Sequence, residues 1–216
     1  NVVIFGGAGA GKSSLINLIA GTETARTSPD GLGCTSETKE YVHGISIQNK
    51  TLKVKLLDTA GLDEGSEGTV PDKECQRRLE KLLRDLRKQD GIHLLMYCVQ
   101  GSKNGERAIK ALRRNYKLCH SAVEGQVPIV LVVTCLENKT PEMEQWWKDN
   151  EKSISKFGMT FAGHACITTL TINKDATDEL QQRHDQSYEA VCKLFEICCT
   201  RCIAFKRLLC CYVTNS

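Results

Sequence analysis

An apolar run, Asn1-Val2-Val3-Ile4-Phe5, leads directly into Gly6-Gly7-Ala8-Gly9-Ala10-Gly11-Lys12-Ser13, and the helical pattern KSSLINLIAG overlaps its end. The glycine-rich segment satisfies G-x-x-x-x-G-K-[ST]. Glycines let such a backbone curl until successive N–H groups face one centre. A helix beginning there adds its partial positive charge. The pattern predicts a phosphate cradle made of Gly6, Ala8, Gly9, Ala10, Gly11, Lys12, Ser13 and Ser14. Lys12 is placed to reach the β- and γ-phosphates, and Ser13 offers its hydroxyl to Mg2+. This loop alone does not separate GTPases from ATPases or small-molecule kinases.

Downstream, strand and helix patterns alternate. Strands are expected at Tyr41–Gln48, Leu52–Leu57, Ile92–Val99, Val127–Cys135 and His164–Leu170, with a turn at Asn49-Lys50. Helices are expected at Glu74–Gln89, Glu106–His120, Met143–Lys156 and from Asp178 to about Leu209. Such alternation predicts an α/β fold of the P-loop NTPase type, a mainly parallel sheet with helices on both faces. Ligands of such sheets lie at the carboxyl ends of the strands. Residues 1–175 read as one such unit, and 176–216 as a helical, Cys-rich tail packing on or extending it.

The strand through Leu57 runs into Asp58-Thr59-Ala60-Gly61. An acidic residue at the end of a strand beside the phosphate loop can hold magnesium through water. Gly61 can offer its backbone N–H to a γ-phosphate, because no side chain blocks the approach. Between these elements, residues 22–38 are rich in Thr, Ser, Pro, Asp and Gly and read as a long loop. Thr35, Ser36 and Thr38 compete there to put a hydroxyl on magnesium and an N–H on the γ-phosphate. That loop would order only with a triphosphate present.

Length, charge and cysteine content narrow the class. With 216 residues, the chain suits one domain with a full core and a short appendage. A net charge of +3 and 6% aromatic residues do not suggest nucleic-acid binding. The 12 cysteines would suggest a disulfide framework in a small secreted chain. Here nothing resembles a secretory signal, so a cytoplasmic setting and reduced thiols are expected. The sequence opens on a strand rather than on Met, as expected of an excised domain.

The segments GGAGAGKSSLIN, Gly33-Cys34-Thr35, LLDTAGL and GIHLLMYC together resemble the septin-like branch of translation-factor-related GTPases, above all the immunity-associated GTPases. VPIVLVVTCLE and MEQWW resemble fungal G-domain proteins of that group. The likeness spans roughly residues 1 to 170 and implies a GTP/GDP-binding, Mg2+-dependent switch. It implies that Thr35 belongs to the first switch and joins Ser13 and Asp58 at the metal. It also places Leu62 where Ras-like enzymes carry a water-positioning Gln. A Leu cannot orient water, so slow hydrolysis is implied unless another group completes the site. Asp63 and Glu64 are nearby acidic candidates, although a solvated loop is their plainer reading. The guanine-reading element departs from the family, with Thr134-Cys135-Leu136-Glu137 in place of Asn-Lys-x-Asp. The Glu137 carboxylate can still accept hydrogen bonds from the base N1–H and N2–H2.

Other features have plainer readings. Cys198, Cys199, Cys202, Cys210 and Cys211 crowd the tail. Cys198 and Cys202 fit a buried helical stripe with Val191, Phe195, Phe205 and Leu209, and the cysteines secondarily fit acylation sites for membrane contact beside Arg201, Lys206 and Arg207. The Cys199-x-x-Cys202 spacing lacks a second ligand pair for zinc. Trp146 and Trp147 read as helix packing, and Arg77, Arg78, Arg84, Arg107, Arg113 and Arg114, among which any arginine finger would lie, mostly as solvated helix faces. The functional expectation is hydrolysis of GTP to GDP and phosphate, with Lys12, Thr35 and Gly61 at the reacting phosphate. Two alternatives stand beside it: a nucleotide-gated module that homodimerises through its nucleotide face with negligible hydrolysis, and an ATP-binding protein.

Overall fold

A computed structural model describes residues 1–21, 24–25, 38–47, 50–62, 73–89, 91–102, 106–172 and 176–213, with backbone alone for 47, 50, 106–107 and 198–213. The elements in chain order are β1 (Val2–Gly6), α1 (Lys12–Ala20), β2 (Lys39–Ile47), β3 (Lys50–Asp58), α2 (Lys73–Lys88) and β4 (Leu94–Gln100). They continue with α3 (Glu106–Ala122), β5 (Ile129–Thr134), α4 (Gln145–Lys156), β6 (His164–Cys166) and α5 (Asp178–Val213). The six strands form one sheet in the order β2-β3-β1-β4-β5-β6. All neighbouring pairs are parallel except β2 with β3. The expected α/β architecture is therefore present.

Burial explains the strand sequences. β1 and β5 have neighbours on both edges and are buried along their whole length, as continuous apolar runs require. Their side chains alternate between two cores. Val3, Phe5, Leu57, Leu95, Tyr97, Leu131 and Val133 face α2, α3 and α4, where Leu79, Leu83, Leu112, Tyr116 and Trp146 meet them. Val2, Ile4, Leu56, Met96, Cys98, Val130 and Val132 face α1 and α5, where Leu15, Ile16, Val191, Leu194 and Phe195 complete the layer. Phe5 and Tyr97 sit opposite each other in register, and their rings stack with centroids 4.6 Å apart. On the edge strand β2, Ile45 is buried while Val42 is 59% exposed, the alternation of a strand with one wet face.

Several boundaries differ from the sequence pattern, and three of these differences have clear local reasons. β3 begins at Lys50, which pairs with Ile47, so Lys50 belongs to the ladder and not to the turn. α4 starts at Gln145 because a tight turn comes first, with Gln145 N–H donating to Glu142 O and Trp146 N–H to Met143 O. β6 ends at Cys166 and not at Leu170. Ile167 N–H still donates to Val133 O at 2.8 Å, but the next N–H, of Thr168, is taken by the Ser187 hydroxyl at 3.0 Å.

The order places β1 between β3 and β4. Connections leave β1 towards α1 on one face, and leave β3 towards α2 on the other. A crevice opens at such a reversal, at the carboxyl ends of the strands. The loop 7–11 and the start of α1 lie there, and Asp58 ends the adjacent strand β3.

Candidate functional site

The loop after β1 is fixed by close backbone approach. Gly6 has φ +156°, and a Cβ there would lie 2.2 Å from the Cys98 carbonyl oxygen of β4. Only glycine lets the two strand ends stand this close. Gly11 has φ +76° and passes directly into α1, with its carbonyl accepting the Leu15 N–H at 2.8 Å. Ala10 N–H donates to Gly7 O at 3.2 Å, which closes the loop on itself.

Lys12 is the first residue of α1 and is only 7% exposed. Its ammonium folds back over the loop, donating to Gly7 O at 3.0 Å and standing 3.5 Å from Gly6 O. A buried ammonium needs such partners. Next to it, the Ser13 hydroxyl donates to Asp58 Oδ2 at 2.7 Å. Asp58 is buried at the end of β3, and Cys98 is buried in β4, two residues before its end. Burial pushes the Cys98 thiol up to about 12. The Lys12 charge opposes that rise and the Asp58 charge adds to it.

Residues 59–62 continue alongside β1. Thr59 donates from its hydroxyl to Ile4 O at 2.9 Å, and Leu62 N–H donates to Gly6 O at 3.1 Å. Gly61 is buried between them. Leu62 is fully buried and packs in the core with Phe5, Leu79 and Leu83. Its side chain therefore points away from the loop opening.

The far side of the crevice is built by β5 and β6. Thr134 is fully buried, and its hydroxyl is 3.1 Å from Ala10 O and 3.2 Å from Val99 O. Thr134 thus ties β5 to the phosphate loop. Cys135 then turns with φ +60°, a conformation that costs a non-glycine residue about 1–3 kcal/mol. Leu136 is buried, and its N–H donates to Ile167 O at 3.2 Å. Half-buried Glu137 follows, and its Oε2 receives the Thr168 hydroxyl at 3.4 Å.

Lys12, Ser13, Asp58, Thr134 and the loop 6–11 therefore converge on the crevice, with Ser14 half-buried on the first turn of α1 and Glu137 at the β5 side. Thr38 is exposed just before β2. Thr35, with Gly33, Cys34 and Ser36, and also Asp63 and Glu64, lie outside the described residues. Several supporting residues carried no sequence signal of their own. Asn17 receives the N–H groups of Thr24 and Ala25 at 2.9 and 2.6 Å and donates to Ala25 O at 2.9 Å, tethering the chain after α1. An Asn inside a helix pattern, where it competes with the backbone, was the one available hint. Arg183, Ser187 and Thr168 support the β5–α4 connection. Trp146 and Trp147 are structural. Trp146 Nε1 donates to Gly101 O at 3.0 Å, and Trp147 stacks on His164.

The donor set is one of hard oxygens, a hydroxyl and a carboxylate, which suits Mg2+. Among the described residues, no group of three or more His, Cys, Asp or Glu side chains can hold a metal. Further ligands of a cation at Ser13 and Asp58 would come from a bound phosphate, from water or from residues outside those described. The buried Lys12 ammonium and the N-terminus of α1 would supply a positive field to such a phosphate. Among the described residues, no helix is long and apolar enough to cross a membrane.

Comparison with known proteins agrees with this geometry. A family model described as a 50S ribosome-binding GTPase matches residues 1–153. No curated protein matches the sequence. Among solved structures, Toc33 from Arabidopsis thaliana in complex with GDP and Mg2+ is 16% identical, with 91% of this chain and 83% of that one covered at a TM-score of 0.60. Era from Aquifex aeolicus bound to GDP and AlF4− is 18% identical over 78% of this chain, at 0.57. A GTP-binding protein from Sulfolobus solfataricus in complex with GDP is 18% identical over 89% of this chain, at 0.53. The alignment spans only 50% of the Era chain and 52% of the Sulfolobus chain. At these identities the likeness concerns the fold.

Proposed function

The chain belongs to the GTPase family whose model is described as 50S ribosome-binding GTPase, and from that premise we propose that it binds GTP and GDP with Mg2+ and slowly hydrolyses GTP to GDP and phosphate. The observation that carries the proposal is the Ser13–Asp58 hydrogen bond of 2.7 Å beside a buried Lys12 folded over the glycine loop. The loop amides would hold the β-phosphate, and Lys12 would balance charge that develops towards the γ-phosphate. Ser13 and Asp58, joined by Thr35, would hold the metal, Asp58 through water. Magnesium, when bound, supplies Lewis-acid stabilisation of phosphate oxygens. Gly61 would donate its N–H to the γ-phosphate. Thr134 would act by holding the loop against β5, and Glu137 by accepting hydrogen bonds from the guanine edge. The GDP and Mg2+ in the solved relatives are consistent with this choice of ligands.

Slow turnover is part of the proposal. Leu62 is buried in the core, so it cannot orient an attacking water. The same observation favours a second reading, in which triphosphate binding gates assembly of two copies through the nucleotide face while hydrolysis is negligible. The solved relatives include a dimerization-deficient mutant of Toc33. Phosphate release from GTP with Mg2+, followed beside light scattering in GTP and in GDP, separates the two. Release that is lost in Lys12→Ala supports hydrolysis. Scattering that rises with GTP while phosphate stays at background supports the assembly reading.

Narrower readings are also proposed. Within the family, GGAGAGKSSLIN, LLDTAGL and GIHLLMYC favour a septin-like, immunity-associated type of G domain. Residues 1–175 are taken as that domain. The Cys-rich segment 176–216 is taken as its helical extension, in a cytoplasmic protein whose tail can meet a membrane if acylated.

A further inference from the structure

The connection from β5 to α4 is held from an unexpected direction. Arg183 lies on α5, 44 and 47 residues beyond the two carbonyls it reaches. Its Nη1 donates to Lys139 O at 2.9 Å and stands 3.4 Å from Leu136 O. Nε and Nη2 of the same guanidinium donate to Glu179 Oε1 at 3.2 and 3.1 Å, which orients the fork from the turn before. The Arg183 side chain is 12% exposed, so the carbonyl bonds are shielded from water. The two carbonyls flank Glu137.

A second thread runs from the same turn of α5. The Ser187 hydroxyl donates to Arg183 O at 2.6 Å and receives the Thr168 N–H at 3.0 Å. Thr168 in turn gives its hydroxyl to the Glu137 carboxylate at 3.4 Å. Glu137 is therefore fixed through its backbone neighbours by Arg183, and through its carboxylate by Thr168. Both routes end on one turn of α5. The arrangement also explains how Cys135 can keep a left-handed conformation, since the residues after it are clamped.

We propose that Arg183 is a positioning residue for base recognition: by clamping the carbonyls on either side of Glu137 it sets where that carboxylate stands, and so how well the site tells guanine from other bases. This rests on the reading of Glu137 as the residue that meets the base. A planar guanidinium can hold two carbonyls and a carboxylate at once, whereas a lysine offers only a point charge. α5 thereby acts as a strut for nucleotide selectivity as well as a core helix.

The test is calorimetric binding of GDP and IDP, with Mg2+, to the whole chain and to Arg183→Ala, Arg183→Lys and Thr168→Val. IDP lacks the exocyclic amine that a carboxylate would bind, but it carries the same phosphates. The original chain should prefer GDP by about tenfold or more, as expected for a hydrogen bond to a charged group. Arg183→Ala should weaken GDP more than IDP, which keeps the N1–H but not the amine, and so lose most of the preference. Arg183→Lys should fall between them, and Thr168→Val should shift the ratio the same way. Should Arg183→Ala unfold in a urea control, the other two variants decide the matter. An unchanged ratio, or an equal loss of both ligands, overturns the proposal while leaving Glu137 as base reader. No preference for GDP in the original chain removes the Glu137 reading, and the proposal with it.

Discussion

The Ser13 hydroxyl and the Asp58 carboxylate, 45 residues apart in the chain, meet at 2.7 Å where α1 begins and β3 ends. Parallel pairing of β1 with β3 brings them together, since Ile4 stands opposite Asp58 in register. If this pair holds the metal, Ser13→Ala and Asp58→Asn should each weaken Mg2+-supported nucleotide binding by about ten- to a hundredfold. A magnesium titration at fixed GDP and at fixed GTP measures this. An unaltered magnesium requirement in both variants would remove the metal assignment.

Gly6 offers a test of the loop's construction. A methyl at this position would meet the Cys98 carbonyl at 2.2 Å, and backbone cannot rotate aside. Gly6→Ala should destabilise the fold by about 3 kcal/mol or more. Urea denaturation measures the loss, and a change under about 1 kcal/mol would mean that the strand ends can separate freely.

The inward direction of Leu62 predicts that restoring a Gln there does not restore catalysis. Leu62→Gln puts an amide among Phe5, Leu79 and Leu83 and should cost about 2–4 kcal/mol of stability. Phosphate release should not rise. Faster release with unchanged stability would show that residue 62 faces the nucleotide.

The buried thiols predict an alkaline limit. Burial raises Cys98 from 9.0 to about 12, and burial with the nearby Glu144 charge raises Cys166 to about 12. A folded value above the unfolded one means that the neutral thiol's stabilisation is complete below pH 9.0 and is lost as pH rises towards about 12. Stability should fall across that window by at most about 1.4 kcal/mol per pH unit for each thiol. Urea denaturation of Cys98→Ala should show a shallower fall than the original chain. Identical slopes would contradict the assignment.

Much of this arrangement was legible in the sequence because it is local. The loop 6–13 and the segment 58–61 each carry their chemistry within a few residues, and the apolar runs at β1 and β5 announce central strands. Alternation of elements then implied that the two segments would be neighbours. The role of Thr134 was only partly readable, because its hydroxyl bonds to a carbonyl 124 residues away. Arg183 was not readable at all: on its own helix it resembles any exposed i, i+4 partner of Glu179, and its carbonyl contacts exist only after α5 packs beside the β5–α4 connection. The end of β6 at Cys166 is hidden from the sequence for a similar reason, since Ser187 takes the Thr168 N–H that a longer strand would use.

The central claim is guanine-nucleotide binding at the Lys12 loop, and calorimetry with GTP, GDP and ATP in the presence of Mg2+ tests it most directly, with Lys12→Ala as the control. The account predicts binding of GTP and GDP that exceeds ATP by at least about tenfold and is lost in the variant. A preference for ATP, or binding that Lys12→Ala leaves intact, would contradict it.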